Sequence, residues 1–224
     1  MSSSPTVFDE NYYRTFYKNY TRQNPSRKLR FYETLLIKHL GKSESVKLLD
    51  VGCAFAAFLG SLPRSWERYG IDVSEHAIES ARAKLPGVNL AGATLETLPF
   101  QGPFDAVTSF DVIEHIPDLD QVARIVNGIL KPGGIFEFVV PVYDGPLGWV
   151  VQLLDKDPTH VHKNGRDFWL SWASKSFEIV EWQGTYRYLT PIGVYMHFPS
   201  RLFRRWSPAI AVVVRRRQDS PKGS

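Results

Sequence analysis

Between residues 45 and 141, short apolar runs alternate with segments in which apolar positions recur every three or four residues. Residues 47–51 (KLLDV) read as a strand buried on both faces, and 55–62 as a helix stopped by Pro63. Residues 69–73 predict a second strand and 74–85 a helix, with Ser74 as N-cap and Glu75 in the first turn. A third strand is expected over 88–93, a fourth over 104–110, a helix over 119–130, and a fifth strand over 135–141 after the Pro132-Gly133-Gly134 turn. This order predicts an α/β fold, doubly wound around a mostly parallel sheet with helices on both faces. Such sheets bind ligands at the carboxyl ends of their strands, where the strand order reverses.

The C-terminal third loses this rhythm. Residues 163–173 read as helix, and 176–182 and 209–215 as strands that pair antiparallel in a wide hairpin on the sheet edge. At the other end, Tyr12, Tyr13, Phe16, Tyr17 and Tyr20 recur at helical spacing, a stripe that either packs or roofs a site. The domain reading is an N-terminal helical and aromatic cap over 1–44, a catalytic-type domain over 45–218 with an insert at about 142–175, and a flexible tail over 219–224.

Composition narrows the chemistry. A single cysteine among 224 residues excludes an intramolecular disulfide and a Cys-based zinc site. No apolar run reaches the ~18 residues of a membrane span, and the N-terminus lacks a signal pattern, so a cytoplasmic protein is expected. The net charge of +4 is uneven. Residues 11–42 carry eight Lys/Arg against Glu33, and 199–224 carry seven against Asp219, whereas 43–198 hold twelve basic and nineteen acidic residues. Basic flanks are either solvated surface or contacts for anionic partners. With no basic, aromatic-laced stripe through the middle, nucleic acid is not an expected partner. Near the C-terminus, Arg201, Arg204 and Arg205 alternate with Leu202, Phe203 and Trp206, which allows weak peripheral contact with a membrane; a packed edge hairpin with solvated arginines is the alternative.

The strongest local signal is Asp50-Val51-Gly52-Cys53-Ala54, where a strand delivers an acidic residue and a glycine before a tight turn into a helix. Gly52 lets the backbone approach a ligand, and Asp72, twenty residues beyond Gly52 at the end of the next strand, can accept both hydroxyls of a ribose. In order, LLDVGCA, GIDVSEHAIESAR, ATLETLPF, FDAVTSFDVIEHI and LKPGGIFEFVVP resemble the class I S-adenosylmethionine-dependent methyltransferases, in particular the small-molecule group of ubiquinone-biosynthesis O-methyltransferases and sugar and natural-product methyltransferases. The resemblance covers roughly residues 45 to 145. It implies a seven-stranded sheet with a reversed final hairpin, and S-adenosyl-L-methionine as cofactor. It also implies a cofactor site built from Asp50, Gly52, Cys53 and Ala54 around the methionine moiety, Asp72 and Val73 at the ribose, and Thr94, Leu95, Phe110 and Asp111 around adenine and sulfonium.

Two departures stand out. Alanine occupies positions 54 and 56, where the family has glycine, which is tolerable at negative φ and costly at positive φ; and Thr94 replaces an acidic residue. These departures keep open a second reading, a degenerate cofactor-binding module without turnover. Cys53 reads as a small buried residue in the turn. Asp111, Glu114 and His115 are similar to a metal-binding Glu-x-x-Glu-His pattern, and equally to a common family sequence in which His115 only packs near the cofactor; no metal is assigned. In the insert, His160 and His162 would point the same way on an extended segment, as an acid/base or ligand pair, or lie incidentally in a solvated loop. His115, His160 and His162 are thus the candidate catalytic residues, and Trp169 and Trp172 either pack a lid or wall the acceptor. The expected activity is O-methylation of a small-molecule, sugar or lipid-linked acceptor. Methylation of tRNA or protein is disfavoured, because residues 111–114 read Asp-Val-Ile-Glu rather than Asn-Pro-Pro-Tyr.

Overall fold

A computed structural model describes residues 20–41, 45–155, 157–189 and 195–218. Of the N-terminal aromatic series only Tyr20 falls within them; Tyr12, Tyr13, Phe16, Tyr17 and the tail 219–224 lie outside the described residues. In chain order the elements are α1 (Tyr20–Gln23), α2 (Ser26–Leu40), β1 (Lys47–Val51), α3 (Ala57–Ser61), β2 (Glu67–Asp72), α4 (Glu75–Lys84) and β3 (Asn89–Gly92). Next come β4 (Phe104–Phe110), a 3-10 turn (Ile113–His115), α5 (Leu119–Ile129), β5 (Leu130–Pro141), α6 (Gly148–Leu154), α7 (Arg166–Ser176), β6 (Phe177–Leu189), β7 (Tyr195–Ser200) and β8 (Ala209–Arg216).

The fold is the expected α/β sheet flanked by helices, with strand order β3-β2-β1-β4-β5-β8-β6-β7. Strands β1 to β5 pair parallel, and β8 runs antiparallel between β5 and β6. Two expectations are corrected. The sheet has eight strands rather than seven, and the pair formed by β6 and β8 is not an edge hairpin. In β8, residues 209–214 are all buried, and a strand apolar on both faces belongs in the sheet interior. The edge is taken by β7, which pairs antiparallel with β6, is largely open to solvent, and carries Pro199, a residue that edge strands tolerate.

Alternation along each strand supplies two cores. Leu49, Val107, Phe136, Phe138, Val212 and Val214 face α5 and α7, meeting Val122, Val126, Trp169 and Trp172. Leu48, Ala106, Ile135, Val139, Ala211 and Val213 face the other way, onto Tyr32 and Leu36 of α2, Phe58 and Leu59 of α3, and Ile78 of α4. Helix α2 therefore completes one layer of the domain. Among the described residues no helix is long and apolar enough to cross a membrane.

Candidate active site

The order reverses between β1 and β4, and the loops at their carboxyl ends build the site. Gly52 sits at φ +73, and a Cβ there would lie 2.2 Å from a Val112 methyl, so no other residue fits. Its N–H and that of Cys53 donate to the Ile71 carbonyl at 2.8 and 3.0 Å, tying the turn to β2. Ala54 and Ala56 both adopt positive φ, +46 and +56, the costly case for alanine. Because Ala56 is left-handed, helix begins only at Ala57 rather than at residue 55.

Asp72 closes the other side of the turn. Its Oδ2 accepts the Ala54 N–H and its Oδ1 the Ser74 N–H, each at 2.9 Å. These bonds fix the orientation of its carboxyl group. Ser74 caps α4 by accepting the Ala77 N–H, as its sequence position predicts. Asp50 is buried, its carboxyl pushed up to about 7 by loss of solvent, against the hydroxyl of Thr108 that donates at 2.7 Å. Burial, with Asp50 and Asp72 nearby, pushes the Cys53 thiol well up, so it stays protonated and serves as packing.

All ten residues assigned to the cofactor, namely Asp50, Gly52, Cys53, Ala54, Asp72, Val73, Thr94, Leu95, Phe110 and Asp111, line one cavity of about 720 Å³. The lining fits S-adenosylmethionine. Gly52 admits close backbone approach, Asp72 offers oriented acceptor oxygens for a ribose, and Val73, 39% exposed, presents an apolar face beside it suited to a base. Thr94 exchanges hydrogen bonds with the hydroxyl of Thr97 at 3.0 to 3.2 Å, which turns it into a loop staple. Tyr20 roofs this end, accepting the Ala57 N–H at 3.3 Å and meeting Phe55 edge to face.

The same cavity continues to His115 and His160. His160 Nδ1 lies 3.0 Å from Asp155 Oδ2 and 3.1 Å from the Tyr143 hydroxyl. Burial opposes ionisation of Asp155, but hydrogen bonds from Lys163, His160 and Tyr143 outweigh it and hold the carboxyl well below its usual range. His115 Nδ1 lies 2.9 Å from the Thr159 hydroxyl, which donates to Asp157, and the two imidazoles stand 4.6 Å apart. His162 does not join them. Its Nε2 sits 3.0 and 3.2 Å from the carbonyls of Ile116 and Pro117, and the ring packs against Trp169. The expected strand-like alternation fails because the N–H groups of both Val161 and His162 bond to the Glu114 carbonyl, bending the segment around that oxygen.

Asp111 also departs from the expected grouping. At φ +60 it leaves Glu114 and His115 to pair with Arg187 of β6. Burial works against its charge, but Arg187 and Lys28 hold its carboxyl below the ordinary value. Glu114 is fully buried, and burial together with the Asp111 charge raises its pKa strongly. The residues able to share a cation are therefore Glu114, His115 and His160, whose ligand atoms all fall within 4.8 Å of one another. Trp169 and Trp172 are core residues, not lid or wall: they pack edge to face, and the Trp172 N–H donates to the Leu119 carbonyl. Lys28 and Tyr32 of α2, Arg187 of β6 and Tyr195 of β7 also line the cavity, and no local motif marked them.

Residues 49–138 match the family model described as Methyltransferase domain. The ubiquinone biosynthesis O-methyltransferase of Albidiferax ferrireducens is 33% identical over 106 residues, covering 44% of this chain and 42% of that protein. The chain spans about half or less of the length of the curated relatives it matches. Among solved structures, a SAM-dependent methyltransferase from Thermotoga maritima aligns with TM-score 0.65 at 17% identity, over 92% of this chain and 98% of that one. The [4+2]-cyclase SpnF aligns with TM-score 0.63 at 18% identity, over 85% and 81%. The fold thus also carries chemistry other than methyl transfer, and the reaction has to be argued from the site.

Proposed function

With residues 49–138 forming a class I S-adenosylmethionine-dependent methyltransferase domain, we propose that the protein methylates an oxygen of a small-molecule, sugar or lipid-linked acceptor. One observation carries this reading: a single cavity joins the Gly52 and Asp72 turn to an imidazole backed by a carboxylate, the His160–Asp155 pair. S-adenosylmethionine supplies an electrophilic methyl group when bound. The protein's work is then to align the acceptor and remove its proton.

His160 suits the second task. Asp155 accepts a hydrogen bond from Nδ1–H, which fixes the tautomer and leaves Nε2 to take the hydroxyl proton while the imidazolium is stabilised. His115, oriented by Thr159 and Asp157, shares that end of the cavity as a second polar contact. His162 is a positioning residue that anchors residues 159–162 to the 113–117 turn.

Calorimetric titration with S-adenosylhomocysteine, followed by transfer of labelled methyl from the cofactor to a panel of hydroxylated metabolites, tests the proposal. His160→Ala is expected to lower turnover by about 10²–10⁴ with cofactor affinity preserved. Absence of S-adenosylhomocysteine binding would overturn the methyltransferase reading, and an unchanged rate in His160→Ala would overturn the base assignment.

A further inference from the structure

Lys28, Arg187, Asp111 and Tyr32, contributed by α2, β6 and the turn after β4, line the same cavity. Its fixed charges do not balance. Arg187 and Asp111 neutralise each other. Lys28 is only 7% exposed, yet its ammonium bonds to neutral oxygens alone, the Gln23 carbonyl at 3.3 Å and Asn24 Oδ1 at 3.1 Å. Among the described residues no carboxylate pairs with it.

Asp111, whose charge Lys28 also feels, is already paired with Arg187, so two buried cations share one anion. A buried charge so placed is expensive to keep, and packing does not require one here: the side chain runs between the Tyr32 and Tyr195 rings, 6.0 and 5.5 Å from Nζ, where methionine would fill the space. A second unsatisfied group stands beside it. The Tyr32 hydroxyl is fully buried and has no hydrogen-bond partner among the described residues, although Tyr32 lines the same cavity and stacks on Phe110. An ammonium bonded only to neutral oxygens and a hydroxyl with no partner thus line the same cavity as the residues assigned to the cofactor.

We infer that the methyl acceptor carries an anionic group, carboxylate or phosphoryl, that binds to Lys28 and is completed by the Tyr32 hydroxyl. The inference rests on the methyl-transfer reading and adds the class of acceptor to it. The acceptor's reacting hydroxyl lies toward His160, and the anion anchors the other end of the molecule at α2. Asp111 keeps Arg187 from competing for that anion, which leaves Lys28 as the discriminating cation.

The test uses the whole chain saturated with S-adenosylhomocysteine, titrated by calorimetry with 3-hydroxybenzoate, phenyl phosphate and the neutral 3-hydroxybenzamide. One or both anions are expected to bind at least about tenfold more tightly than the amide, and which of them does so identifies the group as carboxylate or phosphoryl. Lys28→Met should abolish this preference without changing the affinity of the amide, Lys28→Arg should retain most of it, and Tyr32→Phe should weaken both anions. S-adenosylhomocysteine affinity should stay at the parent value in every variant, which shows that each one folds. Equal binding of anion and amide, no anion binding at all, or a preference that survives Lys28→Met would overturn the inference. If S-adenosylhomocysteine itself fails to bind the parent, the methyl-transfer reading fails instead.

Discussion

Ala54 and Ala56 hold the cofactor turn in a conformation that favours glycine, and replacing Ala56 by glycine measures what that choice costs. A left-handed conformation is unfavourable for an L-residue by ~1–2 kcal/mol, which glycine would recover. Two effects oppose the gain. Glycine widens the unfolded ensemble by ~0.4–1 kcal/mol, and deleting a buried methyl forfeits ~0.8 kcal/mol. Ala56 is 0% exposed and packs in the core with Phe58 and Leu59, so the methyl loss applies in full. The balance lies within about 1 kcal/mol of zero, and at this chain length that moves Tm by no more than ~4 °C. Ala56→Val is the opposite control: a β-branched side chain at φ +56 is expected to destabilise by roughly 3 kcal/mol, through strain and overpacking together. Scanning calorimetry reads both variants, and titration with S-adenosylhomocysteine should show affinity retained or tightened in Ala56→Gly. A loss beyond about 2 kcal/mol of stability, or about tenfold in affinity, would show that the loop has been rebuilt around the alanine methyl and that the strain argument is wrong.

Asp72→Asn replaces one acceptor oxygen with an N–H₂ group, so either the Ala54 or the Ser74 N–H meets a donor; S-adenosylhomocysteine binding should weaken by ~1–3 kcal/mol, and affinity within about twofold of the parent would exclude Asp72 as the ribose acceptor. Burial lowers the pKa of His197 from 6.5 to about 4, with both ring nitrogens unpartnered. Because the unfolded chain binds a proton there that the folded chain resists, the native state loses stability as pH falls from about 6.5 toward 4, and denaturation curves should show His197→Phe gaining on the parent over that window; parallel pH profiles would refute the assignment. Leu202, Phe203 and Trp206 are all exposed; of the neighbouring arginines Arg201 pairs with Glu181 and Arg204 stacks over Trp182, so weak peripheral contact draws chiefly on Arg205, at ~1 kcal/mol per basic residue near an anionic surface. Co-sedimentation with anionic but not neutral vesicles at low salt is therefore expected, and equal retention by both would refute the membrane contact.

The parallel half of the fold was legible because each of its signals is local. Residues 47–51, 69–73 and 104–110 read as strands from their own apolar positions, although the second begins two residues earlier, at the polar Glu67 and Arg68, and Ser74 marks the start of α4 through a hydrogen bond to a residue three positions on. The antiparallel half depends on pairings between distant segments. Residues 209–214 could be read as a strand, yet their place between β5 and β6 follows from being buried on both faces, which a six-residue apolar run shared with edge and interior strands alike does not declare. β7 escaped notice because Tyr195–Ser200 contains Pro199 and mostly outward-facing positions, a pattern that also describes a loop.

The same division runs through the site. Its cofactor half begins at two consecutive strand-to-helix junctions, where a glycine and an aspartate twenty residues apart become neighbours by the geometry of one parallel crossover; the ten residues that the family resemblance implied, from these junctions and from the ends of β3 and β4, line one cavity. The rest of the lining draws Lys28 from a helix before the first strand, His160 from the segment after the fifth, and Arg187 from the sixth. No spacing rule connects them, because they converge only once β8 has inserted and brought β6 and β7 to face α2. Asp111 shows the consequence. Its neighbours in sequence suggested a shared cation with Glu114 and His115, but a guanidinium 76 positions away offered a nearby opposite charge, and turning toward it at positive φ left His160 to take the vacated place beside Glu114 and His115. On the reading proposed above, the N-terminal helix and the C-terminal strands would set acceptor specificity, while the motif-bearing strands keep the cofactor fixed.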